Sequence, residues 1–320
     1  MNILISPVGG QAIYGIVNYF KNKGFKVFGI DRNPEAIGKY FVDKFFKIPD
    51  VGTKGYVNSI LKIISEDKID FFISWLDPEI IFWNEKFYAS EIPPDLTKIF
   101  AFNFSKNLLE LCDKFKFNSL LKSKGFNSPE TFLLSDIQID NEKKLDFPAL
   151  IKPRLGSGTK NTYLIENKED FKYFHLLISN KLGANKFIIQ KFIEGFEYTI
   201  DFFSENGKLK NLVVRKRLEH KGVSLRGEVV YNKQIEVLTN KFCLAFKING
   251  LNNYQVIEHG NELFIIDYNP RPSGTIMLSI NAGVDLLNNL IEQRQGKKIT
   301  EYGQPRRLKM IRYLTELYYE

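Results

Sequence analysis

Asn253 to Thr275 reads NYQVIEHGNELFIIDYNPRPSGT. Tyr254–Glu258 predicts a strand, Gly260-Asn261 a turn, and Glu262–Tyr268 an antiparallel return. A period of two puts Asp267 and Asn269 on one face, with Gln255 on the strand before. One acid and two amides offer only oxygen, which suits Mg2+ and excludes a sulfur- or imidazole-built zinc site. Arg271 follows two residues after Asn269, in reach of phosphates held by such a metal. Charge neutralisation on a moving phosphoryl group needs this pairing of oxygen ligands and arginine.

Three further stretches precede it. Phe147–Thr162, FPALIKPRLGSGTKNT, delivers Lys152 from a short strand into the loop Gly156-Ser157-Gly158-Thr159-Lys160. Successive backbone N–H groups in such a loop form an anion nest, and Lys152 and Lys160 add charge. The spacing is not that of a P-loop, and a plain glycine hairpin is an equal reading of the stretch alone. Lys186–Asp201, KFIIQKFIEGFEYTID, runs from an apolar strand through the connector Gln190-Lys191-Phe192-Ile193 to a strand bearing Glu197. A connector with free backbone groups suits adenine, and a carboxylate suits ribose hydroxyls. An ordinary surface hairpin explains the stretch as well. Val213–Glu228, VVRKRLEHKGVSLRGE, places Arg215 and Arg217 on one strand face. Gly222 and Gly227 bracket an expected loop holding Arg226. Alternate arginines suit bidentate contact with phosphate or carboxylate.

The first hundred residues alternate strands and helices. Expected strands are Asn2–Ser6, Lys26–Asp31, Phe45–Ile48 and Asp70–Trp75, with helices after Gly10 and over 56–66. That rhythm implies a parallel sheet covered on both faces. Gly9, Gly10 and Gly15 occupy the first strand-to-helix turn and Asp31 ends the second strand, but the spacing is not G-x-G-x-x-G. The turn therefore reads first as structural. Ile99–Asn103 is expected as another strand, and residues 107–125 as one helix. Later helices are expected around 168–180, 233–247 and 283–295.

Composition bounds the rest. The chain has 320 residues, enough for about two domains. Two cysteines are too few for a disulfide framework, and three histidines are scattered. No apolar run reaches the ~18 residues of a membrane span, and MNILISPVGG has no signal-peptide pattern. A reduced, cytoplasmic protein is expected, with no membrane partner. The 45 basic and 37 acidic residues give +8. The lysines are spread along the chain, so no nucleic-acid partner is expected. The dense cluster Arg306, Arg307, Lys309 and Arg312 sits beside a Tyr-rich end.

The order of the four stretches resembles the ATP-grasp superfamily over residues 1–300. It is similar to one synthetase half of the carbamoyl-phosphate synthetase large subunit and to stand-alone carboxylate–amine ligases. Asp113-Lys114, Phe115–Phe126 and Pro129 resemble the family's entry helix. The resemblance implies an α/β and α+β fold: a Rossmann-like pre-ATP-grasp domain (1–106), an ATP-grasp small lobe (107–186) and a large lobe with the metal site and tail (187–320). It implies that Lys114 and Lys152 contact ATP, that 156–160 cover the phosphates, and that Gln190–Ile193 form the adenine hinge. Glu197 would hold ribose. Gln255, Asp267 and Asn269 would bind Mg2+, or Mn2+ in its place. Arg271, Arg215 and Lys152 would serve the transferring phosphoryl. Arg226, Ser273 and Gly274 are weaker candidates for the acceptor carboxylate. The family usually has Glu at the hinge and Glu as middle metal ligand; Gln190-Lys191 and Asp267 depart from that.

The implied activity is an ATP- and Mg2+-dependent, ADP-forming ligase. It would activate a small-molecule carboxylate as an acyl phosphate and join it to an amine. Homodimers are common in the family. A phosphotransferase on the same fold and a nucleotide-binding protein without turnover are the other readings.

Overall fold

The computed structural model describes residues 1–138, 145–156, 161–221 and 223–319. The chain begins with the expected alternation: β1 (Asn2–Ser6), α1 (Ile13–Asn22), β2 (Lys26–Asp31), β3 (Lys44–Lys47), α2 (Tyr56–Glu66), β4 (Phe71–Ser74) and α3 (Asp77–Tyr88). The four strands form a parallel sheet ordered β3-β2-β1-β4. Ile3 and Ile5 face α1, while Leu4, Phe28 and Phe72 face α2 and α3. Alternate side chains of a parallel strand are thus buried on both faces. Ile99–Asn103 is not a strand: it contributes the single bridge Phe72–Phe100.

The region expected as one helix over 107–125 is two, α4 (Leu108–Cys112) and α5 (Lys114–Ser123). Asp113 breaks the run because its carboxylate accepts from the Phe115 and Lys116 N–H groups and so caps α5. The same carboxylate is gripped by Arg154, whose Nη2 lies 2.6 Å from Oδ2. A small antiparallel sheet follows. Its strands are β5 (Thr131–Leu133), β6 (Ala149–Pro153), β7 (Tyr163–Ile165) and β8 (Phe187–Lys191), in the order β5-β8-β6-β7, with α6 (Lys168–Lys181) packed on it. β8 therefore belongs to the small sheet, beyond the boundary expected at residue 186.

The third sheet is antiparallel and six-stranded, ordered β13-β12-β9-β10-β11-β14. It comprises β9 (Phe196–Glu205), β10 (Lys208–Lys221), β11 (Val223–Val230), β12 (Gly250–His259), β13 (Glu262–Asn269) and β14 (Lys309–Ile311). Arg226 lies on β11, not in a loop. One face packs on α7 (Lys233–Phe246), α4 and α5. The other meets α8 (Ile276–Asn281) and α9 (Leu286–Arg294), and its cluster continues into α1 of the first domain. Polar ties cross the same junction: Tyr19 Oη donates to Asp285 at 2.7 Å, and Arg294 Nη2 donates to the Phe102 carbonyl at 2.8 Å. Among the described residues, no helix is long and apolar enough to cross a membrane.

Glu79 is fully buried in the first domain and accepts from Ser6 Oγ and Tyr56 Oη. Burial raises its pKa, against those hydrogen bonds. A carboxyl whose folded pKa exceeds its unfolded one contributes stability below the unfolded value, and that contribution is lost as pH rises through the folded value. Glu79→Gln should therefore gain on wild type, in melting temperature, as pH rises from 4.5 to 9. A constant difference across that range would contradict a titrating Glu79.

Candidate active site

The hairpin that opened the sequence reading is formed as expected. Gln255 lies opposite Asp267, and Asn253 opposite Asn269. Thr199 on β9 pairs with Gln255 and with Arg215 on β10. One face of the sheet thus carries Arg215, Thr199, Gln255 and Asp267 in a row across four strands. The period of β-structure places them there, since each is an inward position of its own strand. The loop 270–275 and α8 then cover part of that face.

The cover separates the two arginines. Arg215 is 3% exposed and pairs with the fully buried Asp201, Nη2 to Oδ2 at 2.7 Å. It also donates to Ser273 Oγ at 2.7 Å and to Thr275 Oγ1. Burial lowers its pKa and Asp201 works to restore it. Arg215, expected at the transferring phosphoryl, does not line the cleft. Arg217, two residues on, does, and it forms an ion pair with Glu197.

Lys114, Lys152 and Gly156 approach from the small lobe. Lys114 Nζ donates to the Gly156 carbonyl at 2.7 Å and lies 3.4 Å from Asp267 Oδ1. The Asp113 cap and the Lys114 N–H bond to the Arg154 carbonyl fix that helix start against β6. Lys152 is partly buried, and its pKa is pushed down to about 8 by burial and then by the Lys114 charge; Asp267 and Glu197 oppose the drop. Ser157, Gly158, Thr159 and Lys160 lie outside the described residues.

At the hinge, where only backbone contacts were expected, the side chains turn elsewhere. Gln190 is buried and donates to Thr131 Oγ1 at 2.8 Å, inside the small sheet. Lys191 points to solvent and pairs with Asp146 at 2.8 Å. The Lys191 N–H donates to the Glu130 carbonyl and the Phe192 N–H to the Pro148 carbonyl. The Ile193 N–H has no acceptor among the described residues.

A cleft of about 330 Å3 lies between the large sheet and the first domain; Lys114, Lys152 and the hinge do not line it, and Lys114 touches its border through Asp267. Gln255, Asp267, Asn269 and Arg271 line one side, and Gly10, Gln11 and Trp75 the other. A Cβ added at Gly10 would meet nothing within 4 Å, so the turn opens onto free space. Asp31 does not line the cleft. Its carboxylate accepts from the Gly9 and Asn33 N–H groups and locks the turn, as the structural reading expects. Arg271 is clamped by Asp77 at the start of α3, Nε to Oδ1 at 2.6 Å and Nη2 to Oδ2 at 3.0 Å. Burial opposes its charge, but the Asp77 carboxylate outweighs that and raises the pKa.

Sequence reading missed Asp77, Asn253, Trp75 and Arg312. Asn253 carried a signal, since it precedes Gln255 by two and shares its face. Trp75 and Arg312 line the cleft, and Asp77 holds Arg271 there, only through tertiary packing.

A parallel first domain, a small antiparallel lobe and a larger antiparallel lobe, with lysines and oxygen ligands facing between them, define an ATP-grasp protein. The comparisons agree. Residues 184–317 match the family model described as ATP-grasp in the biosynthetic pathway with Ter operon, and residues 3–93 match the PylC-like N-terminal domain. The carbamoyl phosphate synthase large chain of Clostridium beijerinckii is 25% identical over 306 residues, 90% of this chain and 27% of that protein. This chain thus spans about a quarter of the curated relatives it matches. Among solved structures, N5-carboxyaminoimidazole synthetase from Staphylococcus aureus complexed with ADP has a TM-score of 0.75 at 17% identity, covering 98% of this chain and 82% of that one. L-amino acid ligase from Bacillus licheniformis has a TM-score of 0.69 at 15% identity, covering 92% and 73%. The chain carries an ATP-grasp domain behind a PylC-like N-terminal domain and is homologous to the carbamoyl phosphate synthase large chain.

Enzymes of this family use ATP and Mg2+. The donor chemistry on the hairpin fits that ion: one carboxylate and two amides, all oxygen, leave room for phosphate and water ligands. Asn269 Oδ1 also accepts from Arg271 Nη2 at 3.3 Å, which ties the donor set to the cation beside it. Among the described residues no three His, Cys, Asp or Glu side chains cluster as metal ligands.

Proposed function

We propose that the chain is an ADP-forming ligase that activates a carboxylate with ATP and joins it to an amine. The observation that carries this is a cleft lined by Asp267 and Arg271, with Lys114 3.4 Å from Asp267 at its border and Lys152 within the field of both, whose far wall is a separate domain. These groups suit the polyphosphate, and the far wall gives a second substrate its place.

In this reading the backbone at Lys191–Ile193 meets adenine, with the Ile193 N–H as donor, and Glu197 meets the ribose. Lys114 and Lys152 bind the phosphates, and 156–160 cover them. Gln255, Asp267 and Asn269 hold Mg2+, which when bound offsets phosphate charge. Arg271, held by Asp77, stabilises the γ-phosphoryl. Arg215 acts beneath it as a positioning residue through Ser273 and Thr275. A carboxylate oxygen attacks the γ-phosphorus and the bond to the β-phosphate oxygen breaks, releasing ADP. The amine nitrogen then attacks the acyl carbon, phosphate leaves, and the nitrogen gives up a proton. Positioning and fixed charge do this work; no covalent enzyme intermediate is needed. The acyl phosphate hydrolyses readily, so the closed cleft excludes water. The reactants are small molecules, and the cytoplasm supplies the ATP.

A nucleotide-binding protein without turnover is the second reading. It is favoured by one observation: Asp267 is the single carboxylate of the expected metal set.

The test is thermal stability with ATP, with and without Mg2+. A ligand at 100 times its dissociation constant stabilises by about 2.7 kcal/mol. The proposal expects a shift with ATP that Mg2+ enlarges and that Lys152→Ala removes. No shift with ATP at millimolar concentration would overturn it.

A further inference from the structure

Three arginines line the cleft, and two are neutralised: Arg217 by Glu197 and Arg271 by Asp77. Arg312 is the third. It leaves β14 at the edge of the large sheet, where its N–H donates to the Leu225 carbonyl at 2.9 Å. Its Nη2 donates to the Gly274 carbonyl at 2.5 Å. Among the described residues no carboxylate pairs with it. A half-buried guanidinium facing a cleft, with only a carbonyl for partner, retains a fork of donors that matches a carboxylate.

The opposite wall is mostly apolar, with Gln11 as its one amide side chain. Ala12, Ile13 and Ile16 face the cleft from the first turn and α1, and Trp75 from the end of β4. The Trp75 Nε1 is buried with no acceptor among the described residues. The segment after Arg312 returns to the domain that carries this wall, where the Tyr319 ring lies 4.4 Å from that of Tyr40. The tail that follows Arg312 thus lies against the domain that carries this wall.

We infer that Arg312 anchors the carboxylate of the acceptor acid and that the wall of Ala12, Ile13, Ile16 and Trp75 takes its side group. The acceptor is then a small monocarboxylic acid with an aliphatic or aromatic side group. This rests on the ligase reading and names the substrate class of the same cleft. Dicarboxylates and sugar acids fit less well, because a second charged or polyhydroxy end would lose its water against a wall whose only polar side-chain groups among the described residues are the Gln11 amide and the Trp75 Nε1–H.

The experiment is calorimetric titration of acids into the full chain saturated with Mg2+ and the β,γ-imido analogue of ATP. Isovalerate and phenylacetate are expected to bind, and succinate and gluconate more weakly. Arg312→Ala should weaken isovalerate and phenylacetate at least about tenfold, with Arg312→Lys between, as loss of a charge-assisted fork implies. Both variants should keep their stabilisation by the nucleotide analogue, which shows them folded. The inference is overturned if Arg312→Ala binds the apolar acids as wild type does, if succinate or gluconate binds equally well, or if the analogue binds and no acid does. Absence of analogue binding in wild type would instead sink the ligase reading, and this inference with it.

Discussion

Asp267→Asn is expected to lower acid-dependent ADP release by on the order of 100-fold or more, with the fold intact. Asp267 is the single carboxylate of the hairpin's donor set, faced by Gln255 across the strand pair and by Lys114 at 3.4 Å. Asparagine keeps the shape and one oxygen but removes the charge. Metal affinity on a set of amides alone is weak, and Lys114 loses the partner that aims it. The Mg2+ increment in thermal stabilisation by ATP should vanish together with turnover. A variant retaining a third or more of wild-type ADP release, by a coupled assay, would show that Asp267 is not at the reacting centre.

The second large effect is on stability. Asp201→Ala is expected to destabilise by about 3–5 kcal/mol, because it leaves a buried guanidinium without its carboxylate. Asp201 is fully buried, and Ser279 Oγ shares its Oδ2 with Arg215 at 2.7 Å. Replacing both charges, as Asp201→Leu with Arg215→Met, should cost much less than the single change, since no charge is then stranded. Urea unfolding followed by circular dichroism reads both. Equal losses for the single and double variants would mean the pair is not coupled. The same pair sits directly under Ser273 and Thr275, so the single variant should also disturb the cleft floor.

Local periodicity made much of this legible. The β1–α1–β2 alternation, the hairpin of Tyr254–Tyr268 and the face shared by Gln255, Asp267 and Asn269 all follow from spacing within one or two elements. What spacing cannot show is which members of a face become covered. Arg215 and Arg217 are equivalent by period two; only the loop at 270–275, about 60 residues later, buries the first and leaves the second in the cleft. Gln190 is similar: its strand is legible, but its side chain turns to Thr131 because β5 pairs beside it. The break in the helix at Asp113 was hidden for another reason. The apolar pattern runs on through Phe115 and Phe117, and only the cap geometry with Arg154 stops it. Asp77 meets Arg271 from the first domain, and Arg312 meets Gly274 from the far edge of the same sheet; no local pattern announces such contacts.

The most direct measurement is of ADP and acyl hydroxamate in one reaction containing the protein, Mg-ATP, isovalerate or phenylacetate, and hydroxylamine as nucleophile. Hydroxylamine intercepts an acyl phosphate at its carbonyl carbon and releases phosphate. A ligase that activates a carboxylate yields ADP and hydroxamate in equal amounts, both dependent on the acid. ADP without hydroxamate, or ATP bound and never cleaved with any acid, would contradict the account.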